Sequence, residues 1–130
     1  MKTAVRYYSR SGNTKALAEA IARAAGTKAV SVDAEDAALT EPVDVLFIGG
    51  ALYAYGLDKH LKTYLQSLDA GKVSKAVVFS TAWLSKHALD LIRKELEAKG
   101  IPVASETFFA KNMPDPDVLE QAETFARKQL

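Results

Sequence analysis

Apolar and polar positions alternate along this chain in two rhythms, short solid apolar runs and longer stretches with an apolar residue every third or fourth place. The first run, Thr3-Ala4-Val5-Arg6-Tyr7-Tyr8, is rich in β-branched and aromatic residues and predicts a strand. Leu17, Ile21 and Ala24 then share one face of a helix expected from about Thr14 to Ala25, which Gly26 stops. Ala29 to Val32 predicts a short second strand, and 33–42 a loop. Val43 to Ile48 (VDVLFI) is the clearest buried strand and is expected to end at Gly49-Gly50. Leu57, Leu61, Tyr64, Leu65 and Leu68 predict an amphipathic helix, and Ala76 to Phe79 a fourth strand. Leu84, Ala88, Leu91, Ile92 and Leu96 predict another helix, closed by Lys99-Gly100. Residues 102–110 are expected as an uninterrupted fifth strand. The last helix, around Val118 to Phe125, follows a Pro-Asp-Pro-Asp run suited to capping it.

Strands alternating with helices of ten or so residues imply right-handed crossovers and a parallel sheet. The expectation is an α/β fold: one domain over residues 1–130, three layers, and a doubly wound five-stranded sheet. Such sheets bind ligands beyond the carboxyl ends of their strands, at the switch point. Chemistry is therefore sought after the first, third and fourth strands.

Composition narrows the function. There is no cysteine, which removes disulfides, thiol catalysis and cysteine-held clusters, so any redox work needs a bound cofactor. Seventeen basic and sixteen acidic residues predict no strong attraction to nucleic acid or membrane. No run of 18 apolar residues suggests a membrane span, and no signal-peptide pattern opens the chain, so a cytoplasmic location is expected. His60 and His87 lack a partner at metal-ligand spacing and are expected at the surface. No catalytic triad or carboxylate pair stands out, so neither catalytic nor metal residues are assigned.

The segment Ser9-Arg10-Ser11-Gly12-Asn13-Thr14 joins the first strand to the first helix. Its hydroxyls, a glycine that lets the backbone turn closely, and amides at a helix N-terminus make a phosphate cradle. The plain alternative is an ordinary helix cap, since Ser, Asn and Thr all cap well. The spacing is neither that of a Walker loop nor that of a dinucleotide fingerprint.

Ser9-x-Ser11-Gly12-x-Thr14 resembles the FMN-phosphate loop of the flavodoxin family, written T/S-x-T/S-G-x-T, and it stands where that family puts it. The likeness extends over essentially the whole chain, in the order of elements and the Phe47-Ile48-Gly49-Gly50 strand end. It implies the strand order 2-1-3-4-5 and non-covalently bound FMN. It also implies that Ser9, Arg10, Ser11, Gly12, Asn13 and Thr14 hold the phosphate by hydroxyls and amides. No cation is required, so the Arg10 and Lys15 side chains are expected to be solvated.

Gly49 to Ala51 are small enough to let the backbone approach a ligand. The resemblance places Ala51, Leu52, Tyr53, Ala54, Tyr55 and Gly56 around the isoalloxazine, with Gly56 the peptide beside its reactive edge. The alternative is that the tyrosines pack on the next helix. Ser80, Thr81, Ala82 and Trp83 are expected against the pyrimidine end or the ribityl chain, Trp83 either stacking on the flavin or filling the core. The expected function is electron transfer between redox partner proteins by a monomer or weak homodimer. The alternatives are a small FMN-dependent NAD(P)H or quinone reductase and a flavin-free interaction domain. Arg10, Lys15, Lys59, His60, Lys86, His87 and Lys111 are expected around the ligand edge, a poor match for the cationic reductases that acidic flavodoxins serve.

Overall fold

Along the third strand, successive side chains enter two different cores. Val45 and Phe47 belong to one apolar cluster, Leu46 and Ile48 to another, and all four are buried. A strand covered on both faces needs apolar residues at every position, which is why this stretch reads as a continuous run. The computed structural model describes residues 1–53, 56–82 and 86–130, with only the backbone described at Tyr53.

The elements in chain order are β1 (Thr3–Tyr7), α1 (Asn13–Ala25), β2 (Ala29–Ser31), β3 (Val45–Tyr53), β4 (Gly56–Leu57) and α2 (Lys59–Ser67). After a single 3-10 turn at Ala70–Lys72 come β5 (Ala76–Ala82), α3 (His87–Ala98), β6 (Phe108–Lys111) and α4 (Pro116–Lys128). Five parallel strands run in the order β2-β1-β3-β5-β6, and β4 pairs only with β3, antiparallel. With β4 set apart, this is the expected order 2-1-3-4-5.

Val5, Phe47, Val77 and Phe79 pack with Leu17 and Ile21 of α1 and Ala122 and Ala126 of α4. On the other face, Leu46, Ile48 and Val78 meet Leu61 and Leu65 of α2 and Ile92 and Leu96 of α3. The sheet is thus sandwiched between two helix pairs. The helix boundaries follow local chemistry. Gly26, at φ 72°, ends α1, and the Thr27 amide reaches back to the Ala22 carbonyl at 3.0 Å. Asp115 caps α4 by accepting from the Val118 amide at 2.9 Å, with Pro116 in the first turn.

Leu57, expected within the helix, lies instead in β4 opposite Leu52, and α2 begins at Lys59. Further features depart from the sequence pattern. The loop 33–42 is irregular, as expected, yet firmly held: Arg6 Nε (2.7 Å) and the Tyr64 hydroxyl (2.6 Å) both donate to the Ala37 carbonyl. The fifth parallel strand is interrupted. Val103 bridges Ala76, and pairing resumes only with Phe79 opposite Phe108. Three residues of β5 thus face five of its neighbour, so the partner strand bulges. Ser105 and Glu106 in the bulge are exposed, while the Ala104 carbonyl accepts from Arg93 Nη2 at 2.8 Å.

Candidate functional site

The chain turns out of β1 through a loop designed around backbone amides. Ser9 Oγ accepts from the Gly12 amide at 2.9 Å, and Ser11 Oγ from the Asn13 amide at 3.4 Å. Each serine spends a lone pair in this way and keeps its O–H to donate outward. Gly12 sits at φ 92°, in the left-handed region, with nothing within 4 Å of where a Cβ would stand. It is the N-cap of α1, which has no side-chain cap and no acidic residue in its first turn. The N-cap position thus carries no capping side chain, and the two serines bond the amides at and next to it instead. The first helical amide to find a carbonyl is that of Ala16, on Gly12 at 3.0 Å. The Thr14 and Lys15 amides, like most first-turn amides, have no carbonyl partner among the described residues. Two hydroxyl donors, free amides and the positive end of a helix dipole, with no acid in the turn, fit a phosphate monoester.

Thr14 is buried, and its Oγ1 lies 2.6 Å from Thr81 Oγ1 of β5. One of these hydroxyls donates to the other, so the pair has a single hydrogen left to offer elsewhere. Sixty-seven residues apart in sequence, they bring the first and fourth predicted strand ends together. The Tyr8 amide adds a link to the Gly49 carbonyl at 3.2 Å.

The segment after the third strand differs from expectation. Strand β3 does not end at Gly49-Gly50 but continues to Tyr53 and folds back as β4, with Leu52 opposite Leu57 and Tyr53 opposite Gly56. The core itself requires both glycines. A Cβ at Gly49 would stand 2.4 Å from the Phe79 carbonyl oxygen and from its ring, and one at Gly50 would stand 2.5 Å from Leu61 Cδ2. They are small because neighbouring core side chains occupy the space above them. Ala51 pairs with Thr81, and Gly56 has φ 112°. Ser80, Thr81 and Ala82 are likewise strand rather than loop. Ser80 is fully buried, and its Oγ has no hydrogen-bond partner among the described residues. Ala54, Tyr55 and Trp83 lie outside the described residues.

The Arg10 side chain is not merely solvated. Its Nε (3.1 Å) and Nη2 (2.5 Å) both donate to Oδ2 of Asp58, the N-cap of α2, which is only 4% exposed. The other oxygen of Asp58 accepts from the His60 amide at 2.7 Å and lies 2.8 Å from His60 Nδ1. The His60 ring stacks on Tyr8 at 4.9 Å between centroids. His60 is exposed, as expected, but it is also committed to this cluster. Burial pushes the Asp58 carboxyl up, but the Arg10 and His60 hydrogen bonds and the guanidinium charge outweigh it and hold the group below the usual carboxylate range. Sequence reasoning missed Asp58 as part of the site. Its place just before an amphipathic helix signals a cap, but nothing local signals Arg10.

A further strand end also reaches this edge. The Asn112 amide donates to the Ala82 carbonyl at 3.1 Å, Asn112 has φ 58°, and Met113 beside it is 62% exposed. Among the described residues no group of three or more acidic, histidine or cysteine side chains is arranged to hold a metal ion. Among them, too, no helix is long and apolar enough to cross a membrane.

A family model described as Flavodoxin domain matches residues 4–115. A flavodoxin from the domain Archaea is 25% identical, with 98% of this chain and 95% of that one covered at a TM-score of 0.75. Oxidised flavodoxin 2 from Bacillus cereus is 22% identical, with 97% and 95% covered and a TM-score of 0.78. A WrbA-like flavodoxin from Agrobacterium tumefaciens is 18% identical, with 98% and 94% covered and a TM-score of 0.81. The latter two likenesses speak for the fold alone. No curated protein matches the sequence.

Proposed function

This chain belongs to the flavodoxin family, and from that premise we propose that it binds FMN non-covalently and carries electrons between redox proteins. The observation that carries the reading is the N-terminus of α1, where Ser9 and Ser11 keep their O–H donors and Gly12 opens the backbone. FMN, when bound, supplies the redox chemistry. The chain supplies binding and orientation. Ser9, Ser11 and the amides of Thr14 and Lys15 would hold the phosphate, and Thr14 and Thr81 would tie that loop to β5. Ala51 and Leu52 of β3, Gly56 of β4 and Ala82 of β5 would frame the ring. A neutral donor set of this kind holds a dianion with dipoles rather than with an opposing cation.

Titration of FMN into the apoprotein, followed by quenching of flavin fluorescence, tests the reading. Sub-micromolar binding is expected, and Ser11→Asp with Gly12→Ala is expected to weaken it by at least about a hundredfold, through like charge and backbone strain. Failure of the intact protein to bind would reject the flavin function and leave an interaction domain on the same fold. The holoprotein alone is expected not to sustain NAD(P)H oxidation; steady turnover would replace the carrier with a reductase.

A further inference from the structure

Asp58 is an acid where an acid is costly. It is buried at the start of α2 and bonded to the very loop that, on the reading above, receives a doubly negative phosphate. In a low local dielectric, an uncompensated carboxylate there would oppose that phosphate far more strongly than in water. The compensation comes from the loop itself. Both Nε and Nη2 of Arg10 close on Asp58 Oδ2, while Oδ1 is occupied by His60. Both bonds fall on one oxygen, so the contact is a charge pair rather than a two-oxygen fork, and it joins two segments 48 residues apart.

We propose that Arg10 and Asp58 act as one neutral unit that sets the affinity for the cofactor's phosphate. Asp58 is the positioning residue, holding the guanidinium beside the phosphate loop, and Arg10 cancels the buried charge that would repel the ligand. The inference rests on the FMN reading, and it predicts an order that a simple cation–phosphate contact would not produce. Breaking a buried pair on one side leaves a bare charge, whereas removing both partners is close to neutral. Arg10→Met is therefore the damaging change, and adding Asp58→Asn to it is a rescue.

The experiment measures dissociation constants of FMN and riboflavin for the wild type, Arg10→Met, Asp58→Asn, the double variant and Arg10→Lys, with melting of each apoprotein as a fold check. Arg10→Met is expected to weaken FMN by about tenfold near pH 7.5, and the double variant to return within about threefold of the wild type. Arg10→Lys keeps the charge and is expected to stay near the wild type. Riboflavin, which has no phosphate, is expected to change little in any of them.

The pH profile gives a second reading. Without Arg10, the Asp58 carboxyl loses a hydrogen bond and a charge that lower it and moves upward from its place in the wild type, so FMN binding to Arg10→Met recovers as pH falls, relative to the double variant. Among the described residues, the charged or titratable groups on the elements packed here include Tyr8, which stacks on His60, with Lys59, His60 and Lys62 on α2, and His87 and Asp90 in the first turn of α3, which packs against α2 and β4. These groups remain in the double variant, so comparison with it isolates Asp58. If Arg10→Met does not fold, Arg10→Lys/Asp58→Asn takes its place and is expected to bind FMN at least as tightly as Arg10→Lys; weaker binding would overturn the proposal. Equal losses in Arg10→Met and the double variant, or riboflavin weakened as much as FMN, would overturn the neutral unit and leave the FMN reading intact. Failure of the wild type to bind FMN would reject both.

Discussion

Gly49 and Gly50 are chemically identical neighbours that face opposite cores, and substitution by alanine should separate them. At Gly49 a new methyl would meet the Phe79 ring at 2.4 and 2.5 Å and the Phe79 carbonyl oxygen at 2.4 Å, about 1 Å inside ordinary contact. The ring belongs to a fully buried residue, and the carbonyl is part of β5, which pairs with β3 at this point. Relief therefore requires the central strands to part. Overpacking of this kind costs roughly 1–3 kcal/mol, and an obstacle that includes backbone puts Gly49→Ala at the top of that range. A less flexible unfolded chain returns about 0.4–1 kcal/mol, so the net loss is about 2 kcal/mol. For a domain of this size that lowers the melting temperature by roughly 6–10 °C. At Gly50 the obstacle is Leu61 Cδ2 at 2.5 Å, the end of a side chain that can rotate, and the nearest backbone atom is the Tyr8 oxygen at 3.7 Å. Gly50→Ala should accordingly lose about 1 kcal/mol or less. Urea unfolding of the two variants, followed by circular dichroism, makes the comparison. Losses equal to within about 0.5 kcal/mol would refute the view that these glycines are set by what packs over them.

Three further outcomes follow from named contacts. Thr14→Val or Thr81→Val strands a buried hydroxyl and should cost about 1–3 kcal/mol, while the double variant should recover much of that in a thermodynamic cycle. Asp58 has a folded-state pKa below its unfolded value, so its contribution to stability is complete above about pH 4 and is lost as pH falls through the lower folded value. Asp58→Asn should therefore flatten the acid limb of stability against pH, as read by urea midpoints from pH 5 down to pH 2.5. Tyr64→Phe removes one of two donors to the Ala37 carbonyl and should cost about 1 kcal/mol, with faster amide exchange in 33–42.

What could be read in the sequence was what neighbouring residues decide. Gly26 and the Asp115-Pro116 start of α4 mark helix ends by local backbone chemistry, and the structure places both ends there. The apolar runs marked the central strands because each is covered on two faces. Their ends were another matter. A glycine pair normally punctuates a strand, and here it lies inside one, because Phe79 and Leu61 occupy the space above it. Those residues are distant in sequence, and no window around position 49 contains the reason. The bulge after Val103 was hidden for a related cause: its two extra residues are defined only against the register of β5.

The candidate site divides along the same line. Recognition of a phosphate by amides and hydroxyls uses one contiguous turn, so Ser9 to Thr14 carries its own signature. The surroundings of that turn are assembled from afar. Thr14 meets Thr81 across 67 residues, and Arg10 meets Asp58 across 48. Each of these residues, read alone, has a blander local explanation: a solvated cation, a helix cap, a strand threonine. The blander explanation was adopted for Arg10, and it was wrong because a buried carboxylate must be compensated by whichever cation the fold delivers. The Asp58 carboxylate, costly at that position without Arg10, is thus the point where a locally legible loop becomes dependent on the rest of the chain. Affinity for a phosphate should accordingly respond to α2 as well as to the loop.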